Sequence, residues 1–332
     1  MLKANYFYQM IKSLIEYDRK YNHHQQRGII MSKKHPVIVV TGSSGAGTTT
    51  VKRAFEHVFR REGINAAVVE GDSFHSLNRN EFKVAVKKAE AQGNNHFSHF
   101  GPEANHFDKI EELFETYGRT GSGKKRYYIH NNAEAATLNA RLGTNLGAGE
   151  FTPWEDLAPN SDVLFYEGLH GMVKTDEVDL PQHVDLGIGV VPVINLEWIQ
   201  KIHRDSSERG YSAEETVDTI LRRMPSYINY IATQFSNTHI NFQRVAIVDT
   251  SNPFVMRDIP TLDESFVIIR FRDPGMADFP YLLSMLNNSF MTRRNTLAVP
   301  GGKMGLAMEI ILAPLIHNLM QNRKLETRHH LE

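Results

Sequence analysis

The amino-acid sequence predicts an α/β fold, with a mixed, mostly parallel sheet flanked by helices. Residues 37–40 (VIVV) form a continuous apolar, β-branched run, which is typical of a strand buried on both faces of a parallel sheet. A Gly-rich turn comes next, and apolar residues then recur at helical spacing from Val51 to Phe59. A second short apolar strand at residues 66–70 completes a βαβ unit, which requires parallel strands and a right-handed crossover.

The same alternation of strands and helices continues along the chain. Strands are predicted at residues 163–166, 186–191, 245–248 and 266–271. Helices are predicted at residues 79–92, 106–117, 195–208, 213–234 and 303–323. The helix at 213–234 is expected to bend at Pro225. Residues 118–160 carry several Gly and Asn and few apolar runs, so they are interpreted as a long excursion over the surface.

One domain is predicted, over residues 31–325. The chain has 332 residues, and it shows no internal repeat and no linker that would divide it. Residues 1–30 differ from the rest of the chain. They are interpreted as an N-terminal extension, either disordered or preceding the natural start at Met31, with a docking arm as the alternative. Residues 326–332 are polar and are predicted to be a frayed tail.

The composition excludes several classes of function. The chain has 37 basic and 38 acidic residues and a net charge of -1, which argues against a nucleic-acid-binding protein. It has no cysteine, which excludes disulfides, thiolate zinc sites, cysteine nucleophiles and thiol switches. No apolar run approaches the roughly 18 residues of a membrane span, and residues 1–30 lack the apolar region of a secretory signal. A cytoplasmic protein without a membrane partner is therefore expected.

A Gly-rich segment between the first strand and its helix predicts a phosphate-binding loop. Residues 42–49 (GSSGAGTT) match the pattern G-x-x-x-x-G-K-[ST] at both glycines and at the final hydroxyl, but Thr48 replaces the lysine. Backbone N–H groups and the helix N-terminus can still hold an anion, while another basic residue must supply the missing charge. A merely Gly-rich turn is the alternative. The predicted ATP-binding residues are Gly42, Ser43, Ser44, Gly45, Ala46, Gly47, Thr48, Thr49 and Thr50, and the Thr49 hydroxyl stands where Mg²⁺ is commonly bound.

Acidic residues follow two of the predicted strands. Asp72 comes directly after the second strand, and ligands of open parallel sheets bind beyond such strand ends. A carboxylate there can accept the proton of an attacking hydroxyl, while His75 and Arg79 lie just beyond it and can hold an anionic substrate. Glu167 ends the strand at residues 163–166, as a metal-binding acid does. The alternatives are a turn residue for Asp72 and a surface residue for His75.

A basic helix is predicted at residues 195–208. Lys201, Arg204 and Asp205 share one side of it, opposite an apolar side. Spacing alone favours a solvated face with charge pairs along the helix. The alternative is that Lys201 and Arg204 replace the absent loop lysine, with Asp205 as a second acid near the metal.

Taken together, these segments closely resemble the phosphoribulokinase family, in its cysteine-free bacterial type. The resemblance runs from Met31 to about Asn322, and its segments are GSSGAGTTT at 42–50, EGDSFH at 70–75, FSHFGPEAN at 97–105, LFYEGLHG at 164–171, INLEWIQKIHRD at 194–205 and QRVAIVDTSNPF at 243–254. It implies a kinase with the P-loop, nucleoside-monophosphate-kinase-like fold. Such a kinase transfers the γ-phosphoryl group of MgATP to O1 of D-ribulose 5-phosphate, giving ribulose 1,5-bisphosphate in the Calvin cycle of photosynthetic carbon dioxide fixation.

The resemblance also implies roles for individual residues. Asp72 is the general base and Glu167 the metal-side acid, and the threonine in place of the loop lysine is itself typical of this bacterial type. The residues implied in catalysis besides Asp72 are Lys201, Arg204 and Asp205, and those implied in sugar-phosphate binding are His75, Arg79 and Arg209. The bacterial type is an oligomer, usually an octamer, activated by NADH. Its activator contacts fall on Arg61, Arg270 and Arg293, and Arg222 and Arg223 are also linked to the effector response, although isolated arginines are more often surface charges.

Two other functions remain as alternatives. A related sugar or nucleoside kinase, such as a uridine kinase, needs the same loop and base but no phosphate clamp at His75 and Arg79. A non-catalytic nucleotide sensor on the same fold predicts missing acids, yet Asp72, Glu167 and Asp205 are all present.

Overall fold

The structure is a computed structural model, and it describes residues 34–42, 48–191, 193–208, 212–254 and 258–329. Its first elements form the predicted βαβ unit, with strand β1 at Val37–Gly42, helix α1 at Thr48–Glu62 and strand β2 at Ala66–Glu70. Every residue of β1 is buried, as expected for a strand covered on both faces of a parallel sheet. The predicted extension at residues 1–30 lies outside the described residues.

The later elements continue this alternation. The remaining strands are β3 Lys124–Lys125, β4 Glu155–Asp156, β5 Val163–Gly168, β6 Leu186–Val191, β7 Ile240–Ala246, β8 Ser265–Phe271, β9 Phe290–Arg293 and β10 Thr296–Pro300. The remaining helices are α2 Arg79–Ala91, α3 Phe107–Thr120, α4 Asn132–Leu142, α5 Ile194–Glu208, α6 Ala213–Ser226, α7 Phe279–Met285 and α8 Met304–His329. Helix α8 thus extends into the segment predicted as a tail.

Eight of the described strands form one sheet in the order β2-β5-β1-β6-β7-β8-β10-β9. The five strands from β2 to β7 in this order are parallel, and the last three are joined by antiparallel pairs. The prediction of a mixed, mostly parallel sheet flanked by helices is therefore confirmed. Parallel strands share one carboxyl edge, so the loops that follow β1, β2, β5 and β6 meet there.

Aromatic and aliphatic side chains hold the helices to the sheet. Phe55 and Phe59 of α1 pack on Phe165 of β5, with ring centroids 4.9 and 5.5 Å apart. Helix α8 in turn packs against α1. Such buried aromatic pairs contribute roughly 0.5–1.5 kcal/mol each beyond the area that they bury, which fixes α1 on the sheet directly behind the predicted phosphate-binding loop.

Two predicted segments differ from the structure. The strand predicted at 245–248 overlaps only the last two residues of β7, which spans Ile240–Ala246. The first half of β7 was missed because a buried Asn241 interrupts its apolar pattern. The Asn241 amide is satisfied by the Phe235 carbonyl at 2.8 Å and by the Thr238 hydroxyl at 2.6 Å. The excursion at 118–160 contains α4 and the β3–β4 pair. Helix α4 buries only Ala135, so it has no apolar stripe to reveal it.

One described helical segment, Gly301–Arg323, is long and apolar enough to cross a membrane, with a mean hydropathy of 1.2. Length and composition alone give this result, and a core helix of a soluble protein passes the same test. Here Ala307, Ile311 and Leu312 are buried within the protein. The segment is therefore weak support for a membrane span.

Candidate active site

Two acidic strand ends lie side by side at the carboxyl edge of the sheet. The strand register pairs Glu167 of β5 with Glu70 of β2 on one side and with Val40 of β1 on the other. The predicted phosphate-binding loop connects β1 to α1 at this edge. Its residues 43–47, and the side chains at 48–50, lie outside the described part of the chain. The loop assignment therefore stays a prediction, flanked by the strand and the helix that it requires.

Two glycines allow the ends of β2 and β5 to touch. A Cβ atom on Gly168 would lie 2.7 Å from the Gly71 Cα atom, and one on Gly71 would lie 2.5 Å from the Tyr166 hydroxyl oxygen. Both distances are too short for a side-chain carbon. The glycines that follow Glu70 and Glu167 are thus required for close packing, and they bring the segment after β2 next to the end of β5.

Asp72 lies in the short 3₁₀ turn Gly71–Phe74 that follows β2. Its carboxylate is 3.5 Å from His75 Nε2 and 3.9 Å from His130 Nε2, and its side chain is 42% exposed. Burial by itself raises the pKa of Asp72, but the interaction with His75 and the charges of His75 and His130 outweigh burial and lower the pKa to about 2. Asp72 is therefore an accessible carboxylate that stays ionised at neutral pH.

The neighbours of Asp72 come from three parts of the chain. His75 is buried, so its interpretation as a surface histidine is wrong. Arg79 begins α2, is exposed, and donates from Nη2 to the His130 carbonyl at 3.1 Å. Sequence reasoning missed His130, because it lies in the polar stretch at 118–160 and no local pattern marks it. Only the fold of that stretch over α2 brings it to Asp72.

The basic helix α5 carries a compact ionic cluster. Lys201 Nζ lies 2.5 Å from Asp205 Oδ2, and Arg204 Nε lies 3.5 Å from Asp205 Oδ1. Asp205 is only 5% exposed, which contradicts the solvated-face interpretation that spacing alone favoured. Burial, together with Arg223 and Arg204, lowers the pKa of Lys201 against the opposing effect of Asp205. Arg209, predicted just beyond this cluster, lies outside the described residues.

The charge of Arg223 in α6 affects the pKa of two residues, His99 and Lys201. Burial first, and then the charges of His75 and Arg223, lower the pKa of His99 to about 2. The same Arg223 lowers the pKa of Lys201. The positive charge of Arg223 therefore acts on one residue beside Asp72, His99, and on one residue of the ionic cluster in α5, Lys201.

The other predicted effector arginines are dispersed. Arg61 of α1 pairs with Glu309 of α8, and Arg222 of α6 pairs with Glu90 of α2. Arg270 of β8 and Arg293 of β9 both stand opposite Thr296 of β10 in the strand register, and both are exposed. Of the five, these two are neighbours across one strand.

A second cation at the sheet edge was not predicted. Lys52 of α1 lies 2.7 Å from Glu70 Oε1. Burial lowers the pKa of Lys52, but the hydrogen bond with Glu70 and the charges of Glu70 and Glu167 outweigh burial and raise it. Lys52 lies four residues after Thr48, the residue that replaces the loop lysine. Because residues four apart along a helix share one face, this spacing was a usable signal that Lys52 lies near the loop.

Buried neutral histidines predict a loss of stability in mild acid. Burial lowers the pKa of His170 to about 3 and that of His239 to about 4, whereas an unfolded histidine titrates near about 6.5. Below about pH 6.5 the unfolded state therefore binds more protons than the folded state. Each of these histidines is then expected to lower the free energy of unfolding by up to about 1.4 kcal/mol per pH unit. Urea unfolding followed between about pH 7.5 and about pH 5 measures this slope.

The control for this prediction is His239→Gln, which keeps an acceptor for the Gly187 amide that now donates to His239 Nδ1 at 2.8 Å. The variant is expected to show a shallower dependence of stability on pH. An unchanged slope would exclude His239 as a source of the acid sensitivity.

Comparison with known proteins gives a consistent result. Residues 37–251 match the model of the Phosphoribulokinase / Uridine kinase family. The chain is 57% identical over 294 residues to a chromosomal phosphoribulokinase of Cupriavidus necator, covering 89% of this chain and 99% of that protein. It is 60% identical over 294 residues to a phosphoribulokinase of Xanthobacter flavus, with the same coverage. The solved structure of phosphoribulokinase from Rhodobacter spheroides matches with a TM-score of 0.80 at 52% identity, covering 88% of this chain and 100% of that one.

Proposed function

The chain belongs to the Phosphoribulokinase / Uridine kinase family, and from this premise we propose that it phosphorylates D-ribulose 5-phosphate at O1 with ATP. The products are ribulose 1,5-bisphosphate and ADP, as in the Calvin cycle. The observation that carries the proposal is the ionised, accessible Asp72 at the carboxyl edge of the sheet, surrounded by basic side chains.

Asp72 accepts the proton of the attacking O1 hydroxyl. A carboxylate with a pKa of about 2 is a weak base. Phosphoryl transfer, however, passes through a loose transition state in which little covalent chemistry falls to the protein. The hydroxyl proton then leaves late, and a fixed, ionised acceptor that orients the hydroxyl is sufficient.

Basic side chains hold the two anionic reactants. His75, Arg79 and Arg209 bind the sugar phosphate, while Lys201 and Arg204 supply the charge that Thr48 lacks at the transferred phosphoryl group. The buried Asp205 orients Lys201 through their 2.5 Å contact. A preorganised cation of this kind stabilises charge that develops in the transition state. The acceptor of a uridine kinase carries no phosphate, so such an enzyme does not need His75, Arg79 and Arg209 to bind one.

ATP and Mg²⁺ are the cofactors of such a kinase. The described residues contain no group of three His, Asp or Glu side chains that would hold a metal by themselves. Mg²⁺ is usually bound by one or two carboxylates together with substrate phosphates, and Glu167 at the sheet edge fits that arrangement, with Thr49 as the second protein ligand. Held by Glu167 and Thr49, the ion would supply positive charge that neutralises the ATP phosphates.

The proposed function is tested by release of ADP. The full chain is assayed with MgATP and either ribulose 5-phosphate or uridine as the acceptor. We expect turnover with ribulose 5-phosphate alone, and the product is identified as the 1,5-bisphosphate by phosphorus NMR. Turnover with uridine and none with ribulose 5-phosphate would assign the alternative activity.

We further propose that NADH activates the enzyme through Arg270 and Arg293, with Arg61, Arg222 and Arg223 affecting the response. Two exposed guanidinium groups across one strand suit an anionic effector. Arg270→Ala is expected to raise the NADH concentration for half-activation about tenfold, the equivalent of one charge-assisted hydrogen bond. Arg119→Ala, an exposed arginine at the end of α3, is the matched control. Equal activation of both variants would reject the contact.

A homo-oligomer in the cytoplasm is proposed on separate grounds. Tyr281, Met285 and Phe290 are 46–51% exposed near the sheet edge formed by β9, and exposed large apolar side chains of this kind are typical of protein interfaces. Light scattering of the full chain gives the number of subunits, and the expected result is an octamer. A monomer would reject this part of the proposal.

A further inference from the structure

The segment at residues 97–105 lies against the turn that carries Asp72. Asn105 forms an isolated antiparallel bridge with His75. On either side of it the backbone is paired, because the Ser76 amide donates to the Ala104 carbonyl and the His106 amide donates to the Phe74 carbonyl, both at 2.9 Å. Asn105 and His75 therefore face each other in a fixed register, and both are buried.

The orientation of the Asn105 amide is determined by its surroundings. Its Nδ2 donates to the His99 carbonyl at 2.9 Å and to the Gly101 carbonyl at 2.6 Å. A rotated amide would direct its oxygen at these two carbonyl oxygens, which are acceptors only. The Asn105 Oδ1 atom must therefore face His75 Nδ1, from which it lies 2.7 Å away.

This orientation decides where His75 carries its proton. An amide oxygen accepts hydrogen bonds and does not donate them, so His75 Nδ1 must be the N–H group. The other ring nitrogen, Nε2, lies 3.5 Å from the Asp72 carboxylate. In a neutral ring with the proton on Nδ1, an Nε2 lone pair would face a negative oxygen. With a second proton on Nε2, the two groups form an ion pair.

We propose that Asn105 is a positioning residue that holds the His75 proton on Nδ1 and thereby makes His75 a doubly protonated cation that pairs with Asp72 through Nε2. A neutral His75 could satisfy Asp72 equally well only by moving its proton to Nε2, and Asn105 opposes that tautomer. A second part of this inference, that the charge of His75 strengthens binding of the anionic sugar phosphate, rests on the proposed function. The first part, the protonation of His75, does not.

The other groups around His75 permit this charge. Those that face it or its backbone from the neighbouring segments are Asp72, His99, Arg126, Tyr128 and His170, and His130 lies 3.9 Å from the same Asp72 carboxylate. Burial keeps His99 and His170 neutral, with pKa values of about 2 and about 3, so neither repels a cation at His75. Arg126 donates to the His75 carbonyl at 2.6 Å and thus holds its backbone.

The direct test is nitrogen NMR of the full chain with labelled histidine at about pH 7.5, one unit above the ordinary titration of histidine. His75→Gln identifies the signal. We expect both ring nitrogens of His75 to show shifts of protonated nitrogen in the wild type. In Asn105→Leu, we expect loss of the second proton at this pH. A wild-type shift typical of an unprotonated nitrogen at either Nδ1 or Nε2 would overturn the proposal, whether or not the variant folds and whether or not ribulose 5-phosphate is the substrate.

The kinetic test separates positioning from simple loss of packing. Asn105→Leu is expected to raise KM for ribulose 5-phosphate about tenfold over the wild type and to leave kcat within about threefold. The increase in KM is expected to become larger as the pH is raised. In a His75→Gln background the same substitution is expected to have no further effect on KM. Asn241→Leu, which removes another buried amide, is the matched control, with an unchanged pH profile. A tenfold increase that persists without His75 would assign Asn105 a purely structural role.

Discussion

Asp72→Asn is expected to lower kcat by at least about 10²-fold, with little change in the affinity for ATP. The amide occupies nearly the same space as the carboxylate, but it has no charge with which to accept the hydroxyl proton or to pair with His75 and His130. The contact with the substrate hydroxyl matters most as the proton leaves, so its loss falls on kcat. Steady-state kinetics with each substrate varied in turn measures both parameters.

The same variant separates base catalysis from folding. Its thermal unfolding is expected to stay cooperative with a moderately lowered midpoint, because the lowered pKa of Asp72 shows that its charge stabilises the folded state. Turnover near the wild-type rate in a folded Asp72→Asn protein would remove Asp72 from the role of base. A different acceptor would then be required, with His130 the nearest side chain that sequence analysis did not foresee.

Lys201→Met is expected to lower kcat by about 10²–10³-fold, because in the proposed function Lys201 is the preorganised cation at the transferred phosphoryl group. The substitution also leaves the buried Asp205 without its 2.5 Å partner. Breaking a buried ion pair by removing one member costs about 3 kcal/mol or more of unfolding free energy. Chemical denaturation and single-turnover kinetics, measured on the same preparation, report the two losses separately.

A double variant distinguishes the two losses. Lys201→Met combined with Asp205→Asn removes both charges, so it is expected to recover much of the stability that the single variant loses. Activity is expected to stay low, since the phosphoryl group still lacks its cation. If the double variant recovered activity along with stability, Lys201 would be a structural residue, and the missing loop lysine would need another substitute, such as Lys52.

Strong local patterns made much of the fold predictable. The run at residues 37–40 predicted β1, because this strand is buried inside the sheet. The helical spacing from Val51 to Phe59 predicted α1, because these side chains are buried. Helix α4 and strand β7 were harder to predict. Ala135 is the only buried residue of α4, and β7 contains the polar Asn241, whose amide is hydrogen-bonded within the fold. In these places tertiary contacts, rather than periodicity, determine the structure.

The candidate site shows the same division. Asp72 and Glu167 were predictable because acids at the ends of parallel strands lie at one edge of the sheet. Resemblance to a family, rather than spacing, led to the proposed catalytic role of Lys201, whose helix face was otherwise expected to be solvated. His130 and Asn105 were not predictable as members of the site. Each reaches it through a contact between segments distant along the chain.

The touching glycines at the ends of β2 and β5 limit how the enzyme can be engineered. A methyl group on Gly71 or Gly168 would overlap atoms that cannot retreat without separating the two strands. Mutagenic libraries that aim to broaden acceptor choice are therefore better directed at Arg79 and His130, which are exposed. Variation at the two glycines is expected to yield mainly insoluble clones and no altered selectivity.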